Sequence, residues 1–191
     1  MDGTSMYKKV ESELELAMFN GIWTTVWREK GYDLEFSDDI LEQNLISTKK
    51  GEFVGTAELK PYIADEQHKI NQIVPFHKHP WIYESNGSVG EIDKIALLKT
   101  FRGNGEYIAL ILSSIVHSSA KLKLKYLVSL MEPIFMRALR ITFKVPQQQV
   151  GGKMFYKGDY VIPVIFDIGY IVDNTEEFSW YVNPAVMEHS Y

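Results

Sequence analysis

The chain has 191 residues, 46% apolar and 24% charged, the composition of one ordinary globular domain long enough to bury a core. A formal charge of -5 argues against a general nucleic-acid binder, and the lack of cysteine excludes disulfides, thiolate metal sites and a cysteine nucleophile. No apolar run reaches the roughly 18 residues that cross a bilayer. The start, Met1 to Lys9, is polar and has no signal-peptide core, so a cytoplasmic protein with no membrane partner is expected.

The spacing of Leu14, Leu16, Met18, Phe19, Ile22, Trp23 and Val26 predicts a helix over Met6 to Lys30, broken near Gly21. Arg28, Lys30 and Gly31 make its stop signal. Leu45 to Thr48 and Phe53 to Leu59 predict a hairpin across Lys49-Lys50-Gly51-Glu52, ended by Pro61. Tyr62 to Asn86 is an irregular excursion with one expected strand, Ile70 to Val74. It holds three of the five histidines, and so long an irregular segment in a compact domain is often functional.

Val89 to Leu98 alternates as a strand, followed by the turn Arg102-Gly103-Asn104-Gly105. Glu106 to Leu122 carries the apolar stripe of a helix packed on a sheet. Tyr126 to Met131 is a buried strand, and Pro133 opens a helix through Ile141. Phe143 to Val145, Met154 to Lys157 and Val161 to Ile171 are the remaining expected strands. The aromatic tail from Thr175 to Tyr191 is expected to pack, either on its own chain or on a second copy in a homodimer. No repeat or linker divides the chain, so residues 1–191 form a single expected domain. The strand–helix–strand centre calls for one parallel pair, and the flanking hairpins make the sheet mixed.

The turn at Arg102 carries the first chemical signal. Free N–H groups at a helix start favour an anion, glycines allow close backbone approach and positive φ, and arginine matches phosphate geometry. Taken alone, the pattern reads equally as a plain strand–helix turn that needs glycine for its shape.

This turn resembles the Arg/Gln-x-x-Gly-x-Gly/Ala motif of the GNAT acyltransferase superfamily. Arg102 and Gly105 match, and Tyr107 stands where Gly or Ala is usual. The segments VWREKGYD (26–33), GEFVGTAEL (51–59), EIDKIALLKTFRG (91–103) and MEPIFMRALRITF (131–143) are similar, in that order, to the acyl-homoserine-lactone-synthase-like branch. The resemblance spans residues 15–170. It implies an α/β (α+β) fold with a mixed, mostly antiparallel central sheet and helices on both faces. It also implies a cofactor site for acetyl-CoA or a longer acyl-CoA, built from Ile95, Ala96, Leu97, Leu98, Arg102, Gly103, Asn104, Gly105, Glu106 and Tyr107. The branch carries arginines where Trp23 and Lys94 stand. Those departures point away from homoserine lactone synthesis and leave the wider reading, acyl transfer from a CoA or acyl-carrier-protein thioester to a small-molecule amine. A GNAT-like protein that binds acyl-CoA without catalysis is the alternative.

Direct transfer needs a base for the amine, a donor for the oxyanion and an acid for the departing thiolate. Glu91, where the resembling families often carry a carboxylate, is the first candidate base. Asp93 is the second, on the same strand face. Strict alternation sets Lys94 on the other face unless a bulge intervenes. Tyr156 is a candidate acid or a packed aromatic, and Glu58 an amine ligand or a solvent-facing residue. His77 and His79 share a face of an extended segment but lack a third ligand, so no metal is expected. Lys121, Lys123 and Lys125, with Arg137 and Arg140, read either as a solvated helix end or as a docking patch for an acidic carrier protein. The first-half aromatics, including Trp27 and Phe36, are core or the lining of an apolar pocket.

Overall fold

The structure is a computed structural model that describes residues 6–183. The chain opens with strand β1 (Met6–Lys9), which pairs antiparallel with β2 (Glu42–Ser47). The predicted helix therefore starts later, as α1 (Glu13–Lys30). Ser12 caps it by accepting the Glu15 N–H. Gly31, at φ 79°, closes it with its own N–H on the Arg28 and Trp27 carbonyls. The helix runs unbroken through Gly21. A helical glycine costs about 1 kcal/mol, and burial of Phe19, Ile22, Trp23 and Val26 outweighs that.

The predicted hairpin is present as β2 and β3 (Phe53–Pro61), and β3 pairs in turn with β4 (Val89–Leu97). Between β3 and β4 the chain forms α2 (Lys69–Ile73) and α3 (Pro80–Tyr83), not the expected strand at Ile70–Val74. β3 and β4 pair with each other from Pro61↔Gly90 onward, and no strand pairs with that segment. The segment instead buries Ile70 and Asn71, and the Asn71 amide donates to the Ile63 and Asp65 carbonyls.

Helix α4 (Gly105–Leu122) links β4 to β5 (Tyr126–Met131), and α5 (Pro133–Ile141) follows. The expected strand at Phe143–Val145 does not form. Lys144, at φ 53°, kinks the chain so that both neighbours enter the core, and extension resumes at β6 (Gln147–Gln149). A hairpin of β7 (Met154–Tyr156) and β8 (Asp159–Asp167) completes the strands. β8 stops short of the expected Ile171 because the Asp167 carboxylate accepts the Tyr170 N–H and caps α6 (Ile168–Asp173). The predicted packed tail is seen in part. Phe178 is buried, the Trp180 indole donates to the Phe143 carbonyl, and the Val182 N–H donates to Ser113 Oγ. Residues 184–191 of that tail lie outside the described residues.

The sheet order is β1-β2-β3-β4-β5-β8-β6, with β7 on β8, and every pair except β4–β5 is antiparallel. One face, with Ile46, Val54, Leu59 and Ile92, packs on α4, α5 and α6. The other, with Leu45 and Ala96, packs on α1. This is the expected mixed, mostly antiparallel sheet with helices on both faces. No helix of the described residues is long and apolar enough to cross a membrane.

Candidate active site

The site is built where β4 leaves its regular course. Thr56 faces Ala96 but Glu58 faces Asp93, so Ala57 spans two residues of β4, a bulge at Lys94 and Ile95. Lys94 takes φ 46° there. The bulge returns Lys94 to the face that carries Glu91 and Asp93, which strict alternation does not allow.

On that face a buried ion pair forms. Lys94 Nζ lies 2.7 Å from Glu58 Oε1 and also meets Ser37 Oγ and, at 3.4 Å, Asp93 Oδ2. Gln43 Nε2 donates to the other Glu58 oxygen at 2.7 Å. The ammonium sits 5.1 Å from the Trp23 ring centroid, so the two positions that depart from the resembling branch contact each other. Glu58 is buried and engaged, which rules out the solvent-facing reading.

One step along, β3 sets Lys60 directly across from Glu91. Lys60 Nζ bonds Glu91 Oε1 at 2.9 Å and Asp93 Oδ2 at 3.5 Å. Burial works against its charge, but Asp93 and Glu91 outweigh that and raise its pKa above the ordinary lysine value. Asp93 is further occupied by the Lys94 N–H on Oδ1 at 2.8 Å. Glu91 Oε2 faces His68 Nε2 at 3.6 Å.

Beside these groups the sheet opens. β4 and β5 pair only at Val89↔Tyr126, Gly90↔Leu127 and Glu91↔Val128. Ser129 Oγ donates to the Ile92 carbonyl at the fork, and β5 then continues with β8 alone. Backbone groups alternate sides along a strand. Since the Leu98 N–H goes to Val54, the Leu97 N–H faces the fork. A cavity of about 610 Å³ fills the opening and runs from Lys60, His68 and Glu91 past Ile95 and Leu97 to Arg102. Ile108 and Ile111 of α4 and Phe135 of α5 form its apolar wall, and Trp27, Phe36 and Tyr156 also line it. Burial, then Asp93 and Glu91, raise the Tyr156 pKa against the opposing charge of Lys60, so its phenol stays protonated at neutral pH.

The turn lies at the far end. Arg102 Nε bonds the Leu97 carbonyl at 2.8 Å, and Nη2 bonds Glu29 Oε2 of α1 at 2.9 Å. Gly103 and Gly105 do not take the expected positive φ. A Cβ at Gly103 would meet nothing within 4 Å, and at Gly105 only Phe143 at 3.9 Å, so the backbone there is open to an approaching group. Asn104 caps α4 by accepting the Glu106 N–H, so that N–H is already used. Tyr107 packs edge-on against Phe101 at 5.4 Å, which explains an aromatic where a small residue is usual. Leu98, Gly103, Asn104, Gly105, Glu106 and Tyr107 lie outside the cavity wall, whereas Ile95, Ala96, Leu97 and Arg102 form part of it.

The histidine spacing has another use. His77 sits in a 3-10 turn, not an extended segment, and His79 Nδ1 accepts the Trp81 N–H at the start of α3. Lys121 approaches Glu42, Lys123 closes α4 at φ 56°, and Lys125 lies over the Tyr126 ring, so each has a local structural use. Lys60 and His68 went unrecognised in the sequence. Lys60 was legible as a charge two residues from Glu58 on one strand face; His68 had no periodic signal.

The geometry can be set beside solved proteins. The chain overlays on FeeM, an N-acyl amino acid synthase from uncultured soil microbes, with TM-score 0.67 and 13% identity over 86% of this chain and 91% of that one. The acyl-homoserine-lactone synthase LasI gives 0.63 and 12% over 87% and 91%. BjaI, a CoA-dependent acyl-homoserine lactone synthase solved with SAM and isopentyl-CoA, gives 0.60 and 13% over 91% and 88%. The chain has the GNAT fold. No sequence family and no curated protein matches it by sequence. Within this GNAT fold the fork between β4 and β5, the bulge and the turn at Arg102 all open on one cavity.

Proposed function

We propose that the protein transfers an acyl group from an acyl-CoA, or from the same thioester arm on an acyl-carrier protein, to a small-molecule amine. The observation that carries this is the fork. Past its last partner on β5, the β4 edge at Ile95 and Leu97 borders a cavity that joins Glu91 to Arg102. An extended amide-bearing arm would add to that edge as a strand does. Its anionic end would lie toward Arg102 and the start of α4. The thioester carbonyl would then sit near Glu91 and Tyr156. The amine loses one proton before attack and a second from the adduct, the C–S bond breaks, and the phenol of Tyr156 protonates the leaving thiolate. Asp93, engaged by Lys94 and Lys60, serves better as a support for the bulge than as the base.

Thermal melting with CoA, acetyl-CoA, hexanoyl-CoA, decanoyl-CoA and an acylated carrier protein tests the donor. A rise in Tm with at least one acyl donor is expected, together with thiol release when amino acids and alkyl amines are added. No stabilisation by any of them overturns the proposal. A second reading, acyl-CoA binding without catalysis, draws on Lys60 holding Glu91 Oε1 and Glu29 holding Arg102. It expects the Tm rise without thiol release.

A further inference from the structure

The long excursion between β3 and β4 lines the cavity with Ile63, His68, Lys69, Ile70 and Ile73, and among these His68 carries the imidazole. Its Nε2 is buried, has no hydrogen-bond partner among the described residues, and lies 3.6 Å from Glu91 Oε2. A buried polar atom with no partner costs free energy. Here it is held in place by several independent contacts. Asp65 Oδ1 accepts the N–H groups of Gln67 and His68 at 2.9 and 2.8 Å, which fixes the backbone at the start of α2. The Tyr62 ring meets the imidazole edge to face at 5.0 Å. Tyr62 is itself buried and donates to Asn71 Oδ1 at 2.8 Å, and the Asn71 amide binds the excursion backbone.

A separation of 3.6 Å is too long for a direct hydrogen bond, so the two atoms face each other at the cavity wall with no proton donor shared between them. Glu91 is restrained on its other oxygen by Lys60. The pair therefore presents two acceptors to one nitrogen, a carboxylate oxygen and an imidazole lone pair.

We propose that His68 and Glu91 together hold the acceptor amine and that His68 Nε2 takes its proton. This rests on the acyl-transfer reading above and deepens it. Glu91 Oε2 accepts one N–H of the incoming ammonium. A second N–H passes its proton to Nε2, with Nδ1 already protonated, which gives an imidazolium beside the Glu91 carboxylate. The freed lone pair forms the C–N bond to the thioester carbonyl, the adduct nitrogen gives up its second proton to solvent, and the C–S bond breaks on collapse with the thiolate protonated by Tyr156. The ligand class at this end is a primary amine that arrives protonated.

Thiol release by wild type and by His68→Gln, with decanoyl-CoA and acetyl-CoA as donors, is measured against two nucleophiles. One is a panel of alkyl amines and amino acids, protonated at neutral pH. The other is hydroxylamine, which is already neutral there. General-base removal costs about 10²- to 10⁴-fold. His68→Gln is expected to lose at least about 100-fold on the protonated amines and only a few-fold on hydroxylamine. His68→Asn repeats the comparison with a shorter amide, and activity on hydroxylamine reports a folded cavity in both. Equal losses on both nucleophiles, or no loss on either, overturn the role of His68 and leave acyl transfer standing. No thiol release by wild type with any donor and nucleophile overturns both.

Discussion

Lys94 Nζ and Glu58 Oε1 are 2.7 Å apart, with side chains 2% and 0% exposed. The pair ties the β4 bulge to β3, and through Ser37 it also holds the loop after α1 against the sheet. Removing one partner of such a pair leaves a buried charge and costs about 3–5 kcal/mol. Lys94→Met should therefore lower the urea midpoint sharply. Lys94→Met with Glu58→Gln should recover much of that loss, because the orphaned charge is gone. A double variant as unstable as the single one would mean that the bulge depends on the ion pair itself.

Arg102 is engaged by Glu29 across 2.9 Å at the surface. An anion at the turn has to compete with that carboxylate. Surface pairs contribute about 0.2–1 kcal/mol, so Glu29→Gln should tighten acyl-CoA binding by up to about fivefold. Arg102→Ala should weaken it by more. Titration calorimetry with both variants measures the two effects, and tightening by Arg102→Ala would put the anion elsewhere.

Alkaline pH should destabilise the fold. Burial pushes Tyr32 and Tyr62 up to about 12 and raises Tyr7 further, while its carboxylate partners raise Lys60. Each group holds its proton more tightly folded than unfolded. Their stabilisation is complete below the ordinary values of about 10 and is lost as pH rises through the folded values. Tm should fall from pH about 10 upward, and Tyr62→Phe should make that fall shallower. A flat Tm to pH about 12 would contradict the burial of these phenols.

His79 behaves in the opposite sense. Burial lowers its pKa below the ordinary 6.5, and its Nδ1 must stay unprotonated to accept the Trp81 N–H. Its stabilisation is present above pH 6.5 and is lost as pH falls through the lowered value. His79→Asn, a side chain that caps without titrating, should remove a small acid sensitivity of below about 1 kcal/mol, visible as a flatter Tm profile in mildly acidic buffer.

The sequence by itself determined the local elements whose signals are self-contained. Gly31 after two cations ended α1, the alternation of Val89 to Leu97 made β4, and the apolar stripe of α4 required a sheet beneath it. It also set Arg102 between that strand and that helix. Segments that depend on a partner read wrongly. Met6–Lys9 is a strand because β2 offers an edge, whereas Lys69–Ile73 pairs with no strand and buries Ile70 as a helix. The bulge at Lys94 was legible only as a condition on where its side chain could point. Tertiary structure alone decided the site. Strand pairing stops after Glu91 and opens the cavity, cross-strand register brings Lys60 onto Glu91, and the excursion carries His68 back over it. Those contacts join residues distant in the chain, and no periodicity encodes which backbone hydrogen bonds a strand will leave unmade.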